Sequence, residues 1–386
     1  MAGSEKQTRQ KRREGTAGLV VESRGNHFMN QPTSLPTLAS ITGCILGTAV
    51  GDSIGLPAEG LSRQRQLRLY PSLDRQHFCC GIGMISDDTE HTCMVAQALI
   101  ASAGEPNRFT ANLAWQLRFW LLGLPAGIGF ATLRACLKLC LGMPAKYSGV
   151  FSAGNGPAMR SAVLGVCFGH DVAQLRSLVK ANTRITHTDP KAEYGALAIA
   201  VAAFMSSRNG KQPIAPDEYW QTLQKSLADD GQELLDRLTQ VVVSVKRQES
   251  TENFVKQLGC ERGISGYMYH TVPAVIHAWL SHPLDYQTAV TEIIRCGGDT
   301  DTTAAILGGI VGAGVGETGI PSSWLNQIYD WPRSVSWMRR LARQLADVCA
   351  TGKAQTIHGP FLLWIWLRNF EFTLLVLAHG LRRLVP

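Results

Sequence analysis

Charge is scarce in this chain: Asp, Glu, Lys and Arg make up 17% of its 386 residues, against 45% apolar. That balance fits a compact, rather apolar soluble protein with room for a large core. None of the ten cysteines pairs at C-x-x-C spacing, which argues against a structural zinc site. Cys44, Cys93, Cys136, Cys140 and Cys167 lie in apolar runs and read as small hydrophobes; Cys79-Cys80 is a vicinal pair in an expected loop. With no disulfide framework, a reducing cytoplasm is the expected location. The basic N-terminus lacks the apolar region of a secretory signal. No stretch reaches ~20 uncharged apolar residues, so a membrane-crossing helix is disfavoured. No basic stripe interleaved with aromatics suggests nucleic-acid binding. Period-two alternation is missing, and Val241-Val242-Val243 lies within a helical pattern. The predicted class is therefore all-α.

The net charge of +7 is concentrated at the ends. Lys6, Arg9, Lys11, Arg12 and Arg13 crowd the start, and Arg339, Arg340, Arg343, Arg368, Arg382 and Arg383 the C-terminal part. Such ends suggest surface association. Residues 1–36 are polar, with scattered Gly, Ser and Pro, and read as a disordered basic tail. Order is expected from about Leu38. Gly43, Gly47 and Gly51 recur every four residues, which would let a second helix approach closely. Apolar spacing predicts helices over 109–122, 130–142, 155–168, 171–181, 190–206, 216–228, 231–247, 271–280, 285–295, 301–314 and 332–350. Asp171, Asp189-Pro190 and Pro216-Asp217 are helix-start signals. No linker divides 38–352, read as one domain.

The segment 361–384 forms a separate apolar helix. On a helical projection Arg368, Glu371, His379, Arg382 and Arg383 share a sector of about 120°. That pattern suits peripheral membrane contact, with Trp364 and Trp366 as anchors and the arginine pair on lipid phosphates. It equally suits a helix docked on the core or on a second subunit.

Two acidic clusters carry the chemistry. Ser86-Asp87-Asp88-Thr89 precedes one apolar helical pattern, and Gly297-Gly298-Asp299-Thr300-Asp301-Thr302 opens another. Carboxylates at helix starts are favoured by the helix dipole, which is reason enough for one such pair. Two pairs, each flanked by hydroxyls, suggest more. Brought together they would repel one another, and a hard divalent cation would relieve that repulsion. Glu59, in Leu56-Pro57-Ala58-Glu59-Gly60, is a general-base or metal-linked candidate or a solvated loop residue. Ser152-Ala153-Gly154-Asn155-Gly156-Pro157 is a tight loop before a helix, able to cradle an anion on its N–H groups; no Gly-Lys-Ser/Thr follows, so it is not a Walker loop. His187 stands beside Asp189 as either a structural partner or a ribose or phosphate contact.

Gly43-x-x-x-Gly47-x-x-x-Gly51-Asp52, Ser86-Asp87-Asp88-Thr89, Gly154-Asn155-Gly156-x-x-Met159-Arg160, Thr186-His187-x-Asp189-Pro190 and Gly297-Gly298-Asp299-Thr300-Asp301-Thr302 occur in that order. In this the chain resembles the ADP-ribosylglycohydrolase family, of the dinitrogenase-reductase-activating glycohydrolase and ADP-ribosyl-acceptor hydrolase type, over residues 38–315. The resemblance implies a compact all-α domain with two Mg²⁺ or Mn²⁺ ions in a central cleft. It implies Ser86, Asp87, Asp88, Asp299, Asp301 and Thr302 as metal ligands, with Asp301 as the bridge. Ser86 stands where many members have Thr, and the hydroxyl is kept. Glu59, Asp87 or Asp88 would take the proton of the attacking water. Ser152, Gly154, Asn155 and Gly156 would hold the diphosphate, and His187 would line the ribose pocket. The implied reaction is hydrolysis of the glycosidic bond of an ADP-ribosylated protein or a small ADP-ribosyl compound. Two alternatives are a non-catalytic ADP-ribose- or nucleotide-binding module and a different metal-dependent nucleotide hydrolase.

Overall fold

Helices account for the chain's regular structure in the computed structural model, which describes residues 35–383 apart from 79–80, 210–211, 228–229 and 358. Among the described residues no strand occurs, and isolated bridges tie a few loops together. The protein is all-α, as predicted. The expected basic tail falls, up to residue 34, outside the described residues, as does the Cys79-Cys80 pair.

The helices run in order as α1 (Leu38–Gly55), α2 (Arg63–Leu69), α3 (Asp87–Ser102), α4 (Pro106–Leu122), α5 (Phe130–Cys140), α6 (Ala145–Ser148), α7 (Gly156–Met159), α8 (Ala162–Phe168), α9 (Val172–Arg184) and α10 (Pro190–Arg208). They continue as α11 (Pro216–Leu227), α12 (Gln232–Lys246), α13 (Thr251–Gln257), α14 (Met268–Ser281), α15 (Tyr286–Arg295), α16 (Thr300–Val315), α17 (Ser322–Asn326), α18 (Val335–Thr351) and α19 (Leu362–Arg382). Asp171 and Asp189 cap α9 and α10 through the N–H groups of Gln174 and Lys191, as their sequence positions predict. The stretch 155–168, read as one helix, is two. The chain breaks at Arg160, whose guanidinium turns inward to Asn182, Thr186 and His91.

At the centre α1 and α16 pack antiparallel with their backbones touching. A Cβ on Gly47 would lie 2.2 Å from the carbonyl oxygen of Gly308, and one on Gly51 would lie 2.1 Å from that of Ala304. The four-residue glycine period is thus a packing device. It brings the C-terminal end of α1 beside the N-terminal end of α16, where the Thr300 hydroxyl donates to Gly55 O at 2.8 Å.

The C-terminal helix docks on the core, one of the readings its pattern allowed, with its charged side inward. Its polar stripe faces the core: Arg368 and His379 are 3% and 4% exposed. Arg368 donates to Asp330 Oδ2 at 2.6 Å, Asn369 donates to Gly123 O at 2.8 Å, and His379 meets the Tyr70 hydroxyl at 2.9 Å. The physical reason lies beneath it, where Asp330 and open backbone carbonyls need donors. Arg383, at the end of the helix, donates to Glu59 O at 2.8 Å rather than facing outward.

Candidate active site

Helix α3 begins at the first acidic cluster. Ser86 is its N-cap, with Oγ accepting from the Asp88 N–H at 3.3 Å. Neither Asp87 nor Asp88 serves as the cap. Asp299 is the residue before α16, yet it makes no side-chain cap bond there. Its Oδ2 instead accepts from Asn155 Nδ2 at 2.7 Å. Helix capping therefore does not account for these carboxylates.

The two clusters meet. Thr302 Oγ1 donates to Asp88 Oδ2 at 3.2 Å, and Ser86 Oγ donates to the same oxygen at 3.2 Å. Asp301 Oδ1 accepts from the Thr302 N–H. The Gly297-Gly298 turn sets this register. Both residues have positive φ, and a Cβ on Gly298 would sit 2.1 Å from Ile264 O. Gly298 O accepts from the Gly60 N–H at 2.9 Å, which draws the Glu59 loop to the start of α16.

Crowded carboxylates and burial act together on proton affinity. Burial, then Asp87, Asp52 and Asp299, raise Asp88 well above the ordinary carboxylate range. Burial, then Glu59 and Asp299, raise Asp301 likewise. Asp87 is raised by burial and then by Asp52, Glu90 and Glu59. Glu59 is exposed at the rim, yet surrounding protein and Asp299 raise it too, against Arg383. A divalent cation would relieve this repulsion. The residues fit one: among the described residues, Oδ1 of Asp88 and Oδ1 of Asp52 are buried without a hydrogen-bond partner. The donors are carboxylate and hydroxyl oxygens, suited to Mg²⁺ or Mn²⁺. Among the described residues no three or more His, Cys, Asp and Glu side chains are gathered into a metal cage.

The Ser152–Gly156 loop reaches the same place. Asn155 Nδ2 also donates to Thr271 Oγ1 at 3.0 Å, so its amide orients Asp299 and is not free for a diphosphate. Two of the expected anion-binding N–H groups are spent locally: that of Gly154 on Ser152 Oγ and that of Asn155 on Gly266 O. The cradle expected on loop N–H groups is to that extent corrected. His187 packs its ring against Gly154, where a Cβ would come within 3.1 Å of Nε2. Burial, then Arg160, lowers its pKa to about 3, so it is a neutral imidazole.

Sequence reasoning missed the support around the carboxylates. Asp52 of α1 accepts from the Ser86 N–H, the Thr89 N–H and the Thr89 hydroxyl, at 2.9, 3.2 and 2.5 Å. Burial pushes its pKa up to about 6 against those bonds. The signal was the Gly51-Asp52 pair, a carboxylate inside an apolar helix. One turn into α3, Glu90 accepts from Trp120 Nε1 at 2.6 Å and from Arg333 at 2.7 Å. Arg368 donates to Ile85 O at 2.5 Å, directly before Ser86. No local pattern marks Arg368 or Arg333, whose partners lie far away in the chain.

Residues 33–355 match the family model for ADP-ribosylglycohydrolase. An uncharacterized protein of Archaeoglobus fulgidus is 28% identical, over 74% of this chain and 90% of its own length. The ADP-ribosyl-[dinitrogen reductase] glycohydrolase of Rhodospirillum rubrum is 25% identical, over 74% and 89%. ADP-ribosylhydrolase ARH3 of Xenopus tropicalis is 25% identical, over 78% and 93%. A solved structure described as an ADP-ribosylglycohydrolase-related protein complex shares the fold at TM-score 0.59 and 24% identity, covering 81% of this chain and 98% of its own. Over most of its length, then, the chain belongs to the ADP-ribosylglycohydrolase family.

Proposed function

We propose that this glycohydrolase depends on divalent cations and releases ADP-ribose by hydrolysing its C1″ glycosidic bond to an ADP-ribosylated protein side chain or a small ADP-ribosyl acceptor. The observation that carries the reading is the Thr302–Asp88 contact, which joins the two acidic clusters beside a buried carboxylate oxygen with no partner. Ser86, Asp87, Asp88, Asp299, Asp301 and Thr302 would hold two Mg²⁺ or Mn²⁺ ions. Bound there, the metals would supply positive charge to the ribose hydroxyls and lower the pKa of a coordinated water. The protein does the rest. Asn155 fixes Asp299, and Asp52 fixes the start of α3. Neutral His187 offers a hydrogen bond from the loop side. Positive charge developing at the anomeric carbon is stabilised by the carboxylates. Glu59, with its raised proton affinity and its place at the rim, takes the proton of the attacking water, with Asp87 and Asp88 as the other acceptors within the cluster.

The test offers the purified protein arginine- and serine-linked ADP-ribosyl peptides, with and without chelator. Release of free ADP-ribose, lost on chelation and in Asp301→Ala, supports the reading. Failure to release it from either peptide removes protein de-ADP-ribosylation. Phosphate among the products points to a phosphoesterase, and tight ADP-ribose binding without turnover points to a binding module.

A further inference from the structure

We infer that the outward face of α19, with the end of α4 and the outer face of α5, docks on an anionic phospholipid bilayer, the protein lying on the surface without crossing it. On α19, Leu363, Trp366, Leu367, Phe370, Leu374 and Leu377 recur at helical spacing and all face solvent; Phe370 is 66% exposed. An ordinary surface helix does the reverse, burying its apolar stripe and exposing its charges. The inner face is held along its length through Arg368, Asn369 and His379, so the helix cannot roll over to hide the apolar side.

Exposed apolar side chains occur beyond α19 as well. Trp366 Nε1 donates to Leu122 O at 2.7 Å, joining the face to the end of α4. Trp115, Phe119 and Leu122 project from α4, and Phe130, Leu137 and Leu141 from one side of α5, all exposed. Two helices of the described chain are long and apolar enough to cross a membrane. For α1 the apolar stretch is 89% buried in the core, whereas for α19 it is 28% buried. The charged and amide groups bonded beneath α19 hold its polar side on the protein, the arrangement a helix lying on a bilayer needs.

Charge selects the occupant. Residues 106–170 contain no Asp or Glu; Arg134 and Lys146 are exposed, while Arg118 and Lys138 are half-buried and donate to Leu139 O and Gly149 O. The one carboxylate of α19, Glu371, accepts from Trp331 Nε1 at 2.9 Å. Arg382 is exposed at the helix end. A second copy meeting this face about a two-fold axis would set these cations against themselves. Leu and Met outnumber aromatic side chains along α5 and the loop after it, which favours acyl chains over stacked bases. Apolar side chains with tryptophans and basic neighbours are what an anionic interface binds.

The experiment co-sediments the purified full chain with vesicles of phosphatidylcholine alone or doped with phosphatidylglycerol. Binding to the doped vesicles only, reversed by salt, is expected. Arg134→Ala and Lys146→Ala should each weaken it about fivefold. Phe370→Glu with Leu377→Glu should abolish it while circular dichroism and ADP-ribosyl release stay unchanged. No binding, equal binding to both vesicles, or binding that survives the Glu pair overturns the proposal. A dimer by light scattering that the Glu pair dissociates, with no vesicle binding, assigns the face to a second copy and overturns it equally.

Discussion

Replacing Arg368 with Met asks whether the C-terminal helix, beyond the matched residues 33–355, holds the start of α3 in place. In the native protein Arg368 donates to Asp330 Oδ2 at 2.6 Å and to Ile85 O at 2.5 Å, and it lies 3.7 Å from Glu90 Oε1. Burial opposes its charge, and Asp330 and Glu90 more than offset that opposition. In Arg368→Met, Glu90 keeps Arg333, but Asp330 keeps only the Ile85 N–H at 3.3 Å. Breaking a buried pair on one side costs about 3–5 kcal/mol. Asp330 can escape the penalty by taking a proton, which at pH 7 costs a carboxyl of ordinary pKa about 4 kcal/mol, so the charge penalty is capped near that value. Because burial raises the variant's folded-state Asp330 above its unfolded value, the deficit is full at neutral pH and shrinks as pH falls, to about 1.5 kcal/mol at pH 5. Urea unfolding at both pH values measures this. ADP-ribosyl release should fall about tenfold to a hundredfold, since freeing Ile85 lets Ser86 and Asp87 shift. Adding Asp330→Asn should restore stability without restoring turnover. A stability loss under about 1 kcal/mol, or normal turnover, would refute this coupling of the helix to the site.

Three further outcomes follow from the geometry. Gly47→Ala forces a Cβ to 2.2 Å from Gly308 O and should cost about 3 kcal/mol or prevent folding, read as a lower unfolding midpoint or loss of soluble protein. Burial lowers His277 to about 4, so the folded state resists a proton that the unfolded chain accepts; stability should fall as pH drops from about 6.5 to 4, by on the order of 3 kcal/mol, and His277→Gln should flatten that slope. Asp52→Asn should leave the fold intact, because the amide oxygen can still accept from Ser86 and Thr89, while metal affinity measured by calorimetry falls at least tenfold.

Much of the candidate site was legible because its residues sit at helix starts, where a local pattern announces itself. Ser86, Asp87 and Asp88 open α3, and Asp299 with Asp301 flank the start of α16. Their likeness to helix caps was legible too, and only hydrogen-bond partners separate the two roles: Ser86 caps, while Asp299 turns to Asn155. Asn155 itself was read as a phosphate contact because its loop looks like an anion cradle, whereas folding commits its amide to Asp299 and Thr271.

The sequence by itself determined the all-α class, most helix bounds and the glycine face on which α1 meets α16, because helical period, caps and missing Cβ atoms act over a few residues. Only tertiary structure decided which way α19 turns. Its polar stripe looks like a solvent face until Asp330, buried and otherwise short of donors, is seen beneath it. The pairing of a charge depends on what lies across the interface, and no local pattern on α19 carries that information.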